Sequence, residues 1–231
     1  MTKRKIAYWV IPPKADSEFV ACMEEVLDVY QQPYDATHPV IAMDEQPVQL
    51  IQETRRPIAA TKSHPQRVDY EYERAGTASI FMFAEPLSGW RQATARPQRT
   101  KTDWALEVAG LLQGRYKEVE QVTLVCDNLN THTKGAFYEV FDPQTARQFV
   151  KRIQFCYTPK HGSWLNVAEN ELSAMTRQCL AHRRMADIES LQREINAWSQ
   201  DVNQSQRGVD WQLKIEDARY KLKSVYPNFL T

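Results

Sequence analysis

Three acidic positions stand where carboxylates could act together: Asp44, Asp127, and one of Glu169 and Glu171. Asp127 closes the apolar run Val122-Thr-Leu-Val-Cys126 and opens a polar turn, Asn128-Leu-Asn-Thr-His132. An apolar run with no two-residue alternation predicts a strand buried on both faces. In open α/β sheets the carboxyl ends of such strands are where ligands gather. A carboxylate there is costly to desolvate unless a cation pairs with it, so a metal is the first expectation. Pro39-Val-Ile-Ala-Met-Asp44-Glu45 repeats the pattern, an apolar run that finishes on an acid. Neighbours on a strand face opposite ways, so Asp44 and Glu45 cannot both enter one site. Further on, Leu165, Ala168, Leu172, Met175 and Cys179 form a helical stripe with Glu169 and Glu171 on its opposite borders. Only one of the two can lean toward a shared site, and periodicity does not choose between them.

The elements that must position these acids follow from the same patterns. Asp16 is placed to cap a helix carrying Phe19, Met23, Val26 and Tyr30, which ends near Gln32-Pro33 and gives way to a linker up to Pro39. Strands are expected at the Asp44 run, Val48 to Thr54, Ala78 to Ala84 and Trp90 to Arg96, the last returning from the turn Glu85 to Gly89. A core helix follows Thr102, with Trp104, Val108, Leu111 and Leu112 on one face and Gly114 as its stop. After the Asp127 strand come a helix from Lys134 to Lys151 interrupted at Pro143, a strand Arg152 to Tyr157, and a turn-rich loop, Thr158 to Trp164. The stripe helix, a helix with Leu191, Ile195, Trp198 and Val202, and a mixed tail packing Trp211 and Leu213 complete the chain. The order of three strands, helix, strand, helix, strand, helix predicts an α/β, ribonuclease H-like fold: a mixed five-stranded sheet flanked by helices. In that fold the first and fourth strands lie side by side, which would bring the acids together.

Composition sets outer bounds. The 231 residues suffice for one large domain or two small ones. Lys plus Arg and Asp plus Glu both total 29, so net charge alone points to no anionic partner. Cys22, Cys126, Cys156 and Cys179 are far apart and form no C-x-x-C pair, which fits reduced core residues better than a disulfide frame or zinc site. No uninterrupted apolar run approaches the ~20 residues that a membrane span requires.

Three carboxylates at one point raise one another's pKa unless a divalent cation neutralises them. Mg²⁺ suits such a site because it takes oxygen ligands and keeps positions open for water and phosphate. Two ions roughly 3.5–4 Å apart can serve the attacking and leaving oxygens of an in-line displacement at phosphorus.

The same stretches resemble a known family. Asp127-Asn-Leu-Asn-Thr-His132 and Tyr157-Thr-Pro-Lys-His-Gly-Ser-Trp-Leu-Asn-Val-Ala-Glu169 are similar to the second and third acidic motifs of the DDE transposases of bacterial insertion sequences related to the mariner superfamily. Asp44, in Ala42-Met-Asp-Glu-Gln, matches the first motif, and Val209-Asp-Trp-Gln-Leu with Asp217-Ala-Arg219 resembles the closing segment. The pattern Asn166-Val-Ala-Glu169 implies Glu169 as the third acid and leaves Glu171 a solvated neighbour.

By this resemblance Asp44, Asp127 and Glu169 are the catalytic residues and bind two Mg²⁺ ions, with Mn²⁺ as a substitute. The implied reaction is cleavage of DNA at the element's ends, followed by attack of the freed 3′-OH on target DNA. The implied partners are DNA, at both inverted-repeat ends and target, and further copies of the chain in a homodimer or higher oligomer during synapsis. A bacterial cytoplasmic setting is implied as well. Asn128, Asn130, His132, Lys160 and His161 are candidates to meet phosphates beside the metals, against a reading as turn-forming Asn and surface His. Arg177, with Arg55, Arg56, Arg183 and Arg184, is a candidate to line a DNA channel.

The family normally carries helix-turn-helix units ahead of its catalytic domain. Residues 1–38 are accordingly expected to be a stub, helix and linker, and 39–231 the catalytic domain with a C-terminal helical extension. The alternatives are a catalytically idle truncated transposase acting as an interaction or repressor protein, and a ribonuclease H-like nuclease acting on hybrids.

Overall fold

The computed structural model describes residues 11–12, 14–181 and 183–228; the stub expected at Lys3 to Ile11 lies almost wholly outside them. A five-stranded sheet in the order β3-β2-β1-β4-β5 forms the centre. Its strands are β1 (Val40–Glu53), β2 (Tyr72–Glu85), β3 (Trp90–Arg96), β4 (Val122–Cys126) and β5 (Ile153–Tyr157). The first three pair antiparallel, while β4 runs parallel to both β1 and β5. This is the mixed five-stranded, helix-flanked, ribonuclease H-like sheet that the pattern of elements predicts.

Helices cover both faces, and strand alternation sorts the core between them. Ile41, Met43, Leu124 and Cys126 face a layer built on α2 (Lys101–Gln113), α3 (Lys134–Val140) and α4 (Pro143–Lys151). Ala42 and Val125, the residues between them, face a second layer. That layer holds α1 (Ser17–Gln31), α5 (Val167–Met175), α6 (Ile188–Gln204) and α7 (Ile215–Lys221). All four cysteines are free, three of them buried. Among the described residues no helix is long and apolar enough to cross a membrane.

Local chemistry sets the helix ends. Asp16 caps α1 by accepting the Phe19 N–H at 3.0 Å. Thr100 and Asp103 form a reciprocal capping box, so α2 starts two residues earlier than a start after Thr102 would give. Pro143 divides α3 from α4 and sits at the first turn of α4, where its missing N–H costs nothing, with Asp142 as cap.

One sequence expectation needs correcting. The Asp44 run and Val48 to Thr54 are a single strand of 14 residues, and Asp44 lies inside it rather than at its end. Pro47 suggests a break, because proline cannot donate to a ladder. The ladder does not need it. Beyond Ala42, β1 pairs only with β2. On its other edge Met43 O accepts from Asn166 and Ile51 N donates to Met185 O at 2.8 Å. Residues of that parity turn their backbone outward, so the N–H that Pro47 lacks belongs to the unpaired side. Gly76, at φ 107, takes up the irregularity where β2 slips past Leu50.

Candidate active site

Asp44 and Asp127 are brought together by parallel register. The last rung between β1 and β4 joins Ala42 to Val125, and each acid lies two residues further along its own chain. Two residues return a side chain to the same face, so Asp44 looks toward the layer that holds α5, and Asp127 follows directly on the end of β4, the neighbouring strand ~4.8 Å away. Glu169 comes from that layer. Asn166 caps α5 by accepting the Ala168 N–H at 3.1 Å, and its amide donates to Met43 O at 2.8 Å. One buried side chain therefore starts the helix and ties its first turn to the residue before Asp44. Glu169 sits exposed in that first turn, where the helix dipole favours a negative charge.

The electrostatics show that the acids feel one another. Asp44 is pushed up to about 6 from its ordinary 3.8, first by burial and then by the charges of Asp127, Glu169 and Glu45. The Glu45 N–H, donated to Asp44 Oδ1 at 2.7 Å, works in the opposite direction. Such crowding suits a divalent cation with oxygen ligands. Among the described residues, no three His, Cys, Asp or Glu side chains lie close enough to hold an ion as they are placed. Asp44 and Glu169 line one cleft of about 410 Å³ together with Arg177, whereas Asp127 lines another of about 760 Å³ with Asn128, Lys160 and His161.

Glu45 takes the opposite face, as alternation requires, and meets His132. The His132 side chain is 1% exposed; its Nε2 lies 3.0 Å from Glu45 Oε1 and its Nδ1 2.6 Å from Asp127 Oδ1. Its ring stacks on Trp104 at 5.5 Å. Burial alone would strip the imidazolium of its proton, but close contacts with Asp127, Cys126 and Glu45 outweigh it and hold the pKa well above the ordinary value. His132 is therefore neither a surface histidine nor placed to meet a phosphate, which corrects the sequence reading.

Glu171 also departs from expectation. It is not solvated: Arg91 clasps it with two bonds, Nε to Oε2 at 2.9 Å and Nη2 to Oε1 at 2.7 Å. Two residues of helix turn about 200°, so Glu171 faces away from Glu169 and into the protein.

The other candidates are exposed. Asn128, Lys160 and His161 share the Asp127 cleft, Asn130 lines neither cleft, and Arg177 donates to Ser173 Oγ at 2.7 Å. His161 adopts φ 65, and any Cβ at the following Gly162 would lie 2.5 Å from Pro159 Cγ, so the tight turn requires glycine there. Arg55, Arg183 and Arg184 are paired with Asp69, Glu194 and Glu53. Trp164 packs against the core.

Comparison with known proteins adds the following. A family model described as DDE superfamily endonuclease matches residues 39–192. No curated protein sequence matches. Among solved structures, the Mos1 mariner paired end complex with Mn aligns with 96% of this chain at TM-score 0.55 and 13% identity, and the chain covers 65% of that protein. The paired end complex with Mg gives TM-score 0.58 and 16% identity, covering 98% and 68%. The Mos1 Strand Transfer Complex gives 0.54 and 16%, covering 86% and 59%. The chain thus spans about two thirds or less of the length of these proteins.

Proposed function

Because this chain belongs to the DDE superfamily endonucleases, we propose that it is the catalytic part of a transposase, cleaving DNA at the ends of a mobile element and joining the 3′-OH to target DNA. The observation that carries the reading is the parallel register, whose last rung joins Ala42 to Val125 two residues before Asp44 and Asp127, together with the Asn166 tie that fixes the start of the Glu169 helix to β1. Family membership and the likeness to mariner complexes solved with DNA-end assemblies and with Mn or Mg support it.

In this reading Asp44, Asp127 and Glu169 hold two Mg²⁺ ions, replaceable by Mn²⁺. The donor set fits: three hard carboxylates, one of them with its pKa raised by burial and by its neighbours' charge, need a cation to share a site. When bound, such ions supply an activated attacking oxygen and stabilise the leaving one. The chain's own groups orient and bind. Asn166 fixes where Glu169 enters, and Asn128, Lys160, His161 and Arg177 are set to meet DNA phosphates. The catalytic unit runs 39–231, with α1 from the preceding segment packed into its core. Its partners are DNA and, during synapsis, further copies of the chain.

The test is nicking of supercoiled DNA bearing the sequences that flank the gene, with Mg²⁺ or Mn²⁺. Asp44→Asn, Asp127→Asn and Glu169→Gln should each lower the rate by at least about 10³-fold, since groups acting as one unit fail together. DNA binding without metal-dependent cleavage by the unaltered chain would instead mark an idle interaction protein.

A further inference from the structure

Behind Asp127 lies a buried assembly that metal ligation by three acids does not by itself require. Glu45 leaves β1 on the face opposite Asp44, and its side chain is 3% exposed. It reaches His132 across a separation of 87 residues. His132 is fixed on three further sides: its ring stacks on Trp104, its carbonyl accepts from Tyr157 Oη at 2.9 Å, and its N–H donates to Leu129 O at 3.0 Å.

What the ring touches gives it a use. Nδ1 is aligned on the Asp127 carbonyl oxygen at 3.2 Å and lies 2.6 Å from Oδ1, off the axis of a full hydrogen bond. Oδ1 itself is buried with no aligned donor, although the Asp127 side chain as a whole is 40% exposed. The exposed part of the carboxylate is therefore Oδ2. The carboxylate has one oxygen turned in toward the imidazole ring and one turned out to the cleft.

We propose that His132, backed by Glu45, is a positioning residue that locks the Asp127 carboxylate with Oδ1 held inward and Oδ2 presented to a divalent cation. This rests on the reading of Asp127 as a metal ligand. The physical benefit is preorganisation: a carboxylate whose torsion is already fixed gives up less freedom when it binds an ion, and partners behind a ligand commonly set affinity in this way. Glu45 in turn stops the ring from rotating about its Cβ–Cγ bond, because rotation would break the Nε2 contact.

Two substitutions separate orientation from mere packing, since both remove the ring from Trp104. In His132→Asn the side-chain amide can stand where Nδ1 stood and still approach Asp127. In His132→Gln it can stand where Nε2 stood, reaching Glu45 but not Asp127. Mn²⁺ binding to the whole chain is titrated by electron paramagnetic resonance without DNA, with urea unfolding in EDTA as a check on folding. His132→Gln should weaken Mn²⁺ binding by about 10–100-fold, and His132→Asn should stay close to the unaltered chain. Equal weakening in both, or none in either, overturns the proposal. If the unaltered chain binds no Mn²⁺, or Asp127→Asn binds it equally well, the metal reading itself fails and the positioning role falls with it.

Discussion

Asp44 carries the clearest consequence of burying a carboxylate and setting like charges beside it. Its pKa of about 6 in the folded chain, against 3.8 ordinarily, means that between these values the folded state holds more proton than the unfolded one. Stability of the metal-free protein must then fall as pH rises from about 4 to about 6, by at most about 3 kcal/mol. His132, with its pKa raised, acts in a higher window: its contribution is full below about 6.5 and is lost as pH climbs toward the folded value. Asp44→Asn should flatten the lower window and raise neutral-pH stability by about 1–2 kcal/mol, read from urea unfolding in EDTA at a series of pH values. An unchanged slope would mean that the carboxylate is not crowded. Asp44 and Asp127 were legible because each ends an apolar run. The partners of Glu171 and His132 were not, since they lie 80 and 87 residues away and no local spacing encodes them.

At the scale of elements, α5 is the part on which the site turns. Periodicity finds the helix but not what fixes its start, because the Asn166 amide bonds to β1 across 123 residues. Replacing Asn166 by Ala removes the cap and leaves Met43 O without its buried donor, two losses that together cost about 2–4 kcal/mol. Urea unfolding of Asn166→Ala should show that loss, and nicking should fall even where the variant is fully folded, because Glu169 is no longer tethered. Retained activity in the folded variant would show that Glu169 is held by other means. Strand β4 was readable from five residues because burial on both faces erases alternation. By contrast β1 was read as two pieces, because a proline in mid-strand signals an end only where both edges are paired.

For the whole molecule, the sheet divides the core so that Asp44 sits on one side while Glu45, with His132 and Trp104, sits on the other. That arrangement follows from alternation along β1 and was foreseeable in outline. The outward row on β1 has a different bearing, on how copies behave when crowded. Met43 O, the Glu45 N–H and the Ile51 N–H are already engaged, and Pro47 has no hydrogen to offer, so an incoming strand finds few docking points there. Unprotected strand borders seed aggregates, and proline is a natural guard. Pro47→Val should leave unfolding within about 0.5 kcal/mol while concentrated solutions begin to scatter light on warming. Clear solutions would show that neighbouring charges suffice; scattering would show that the strand long enough to reach past the acids is closed to strangers by its proline.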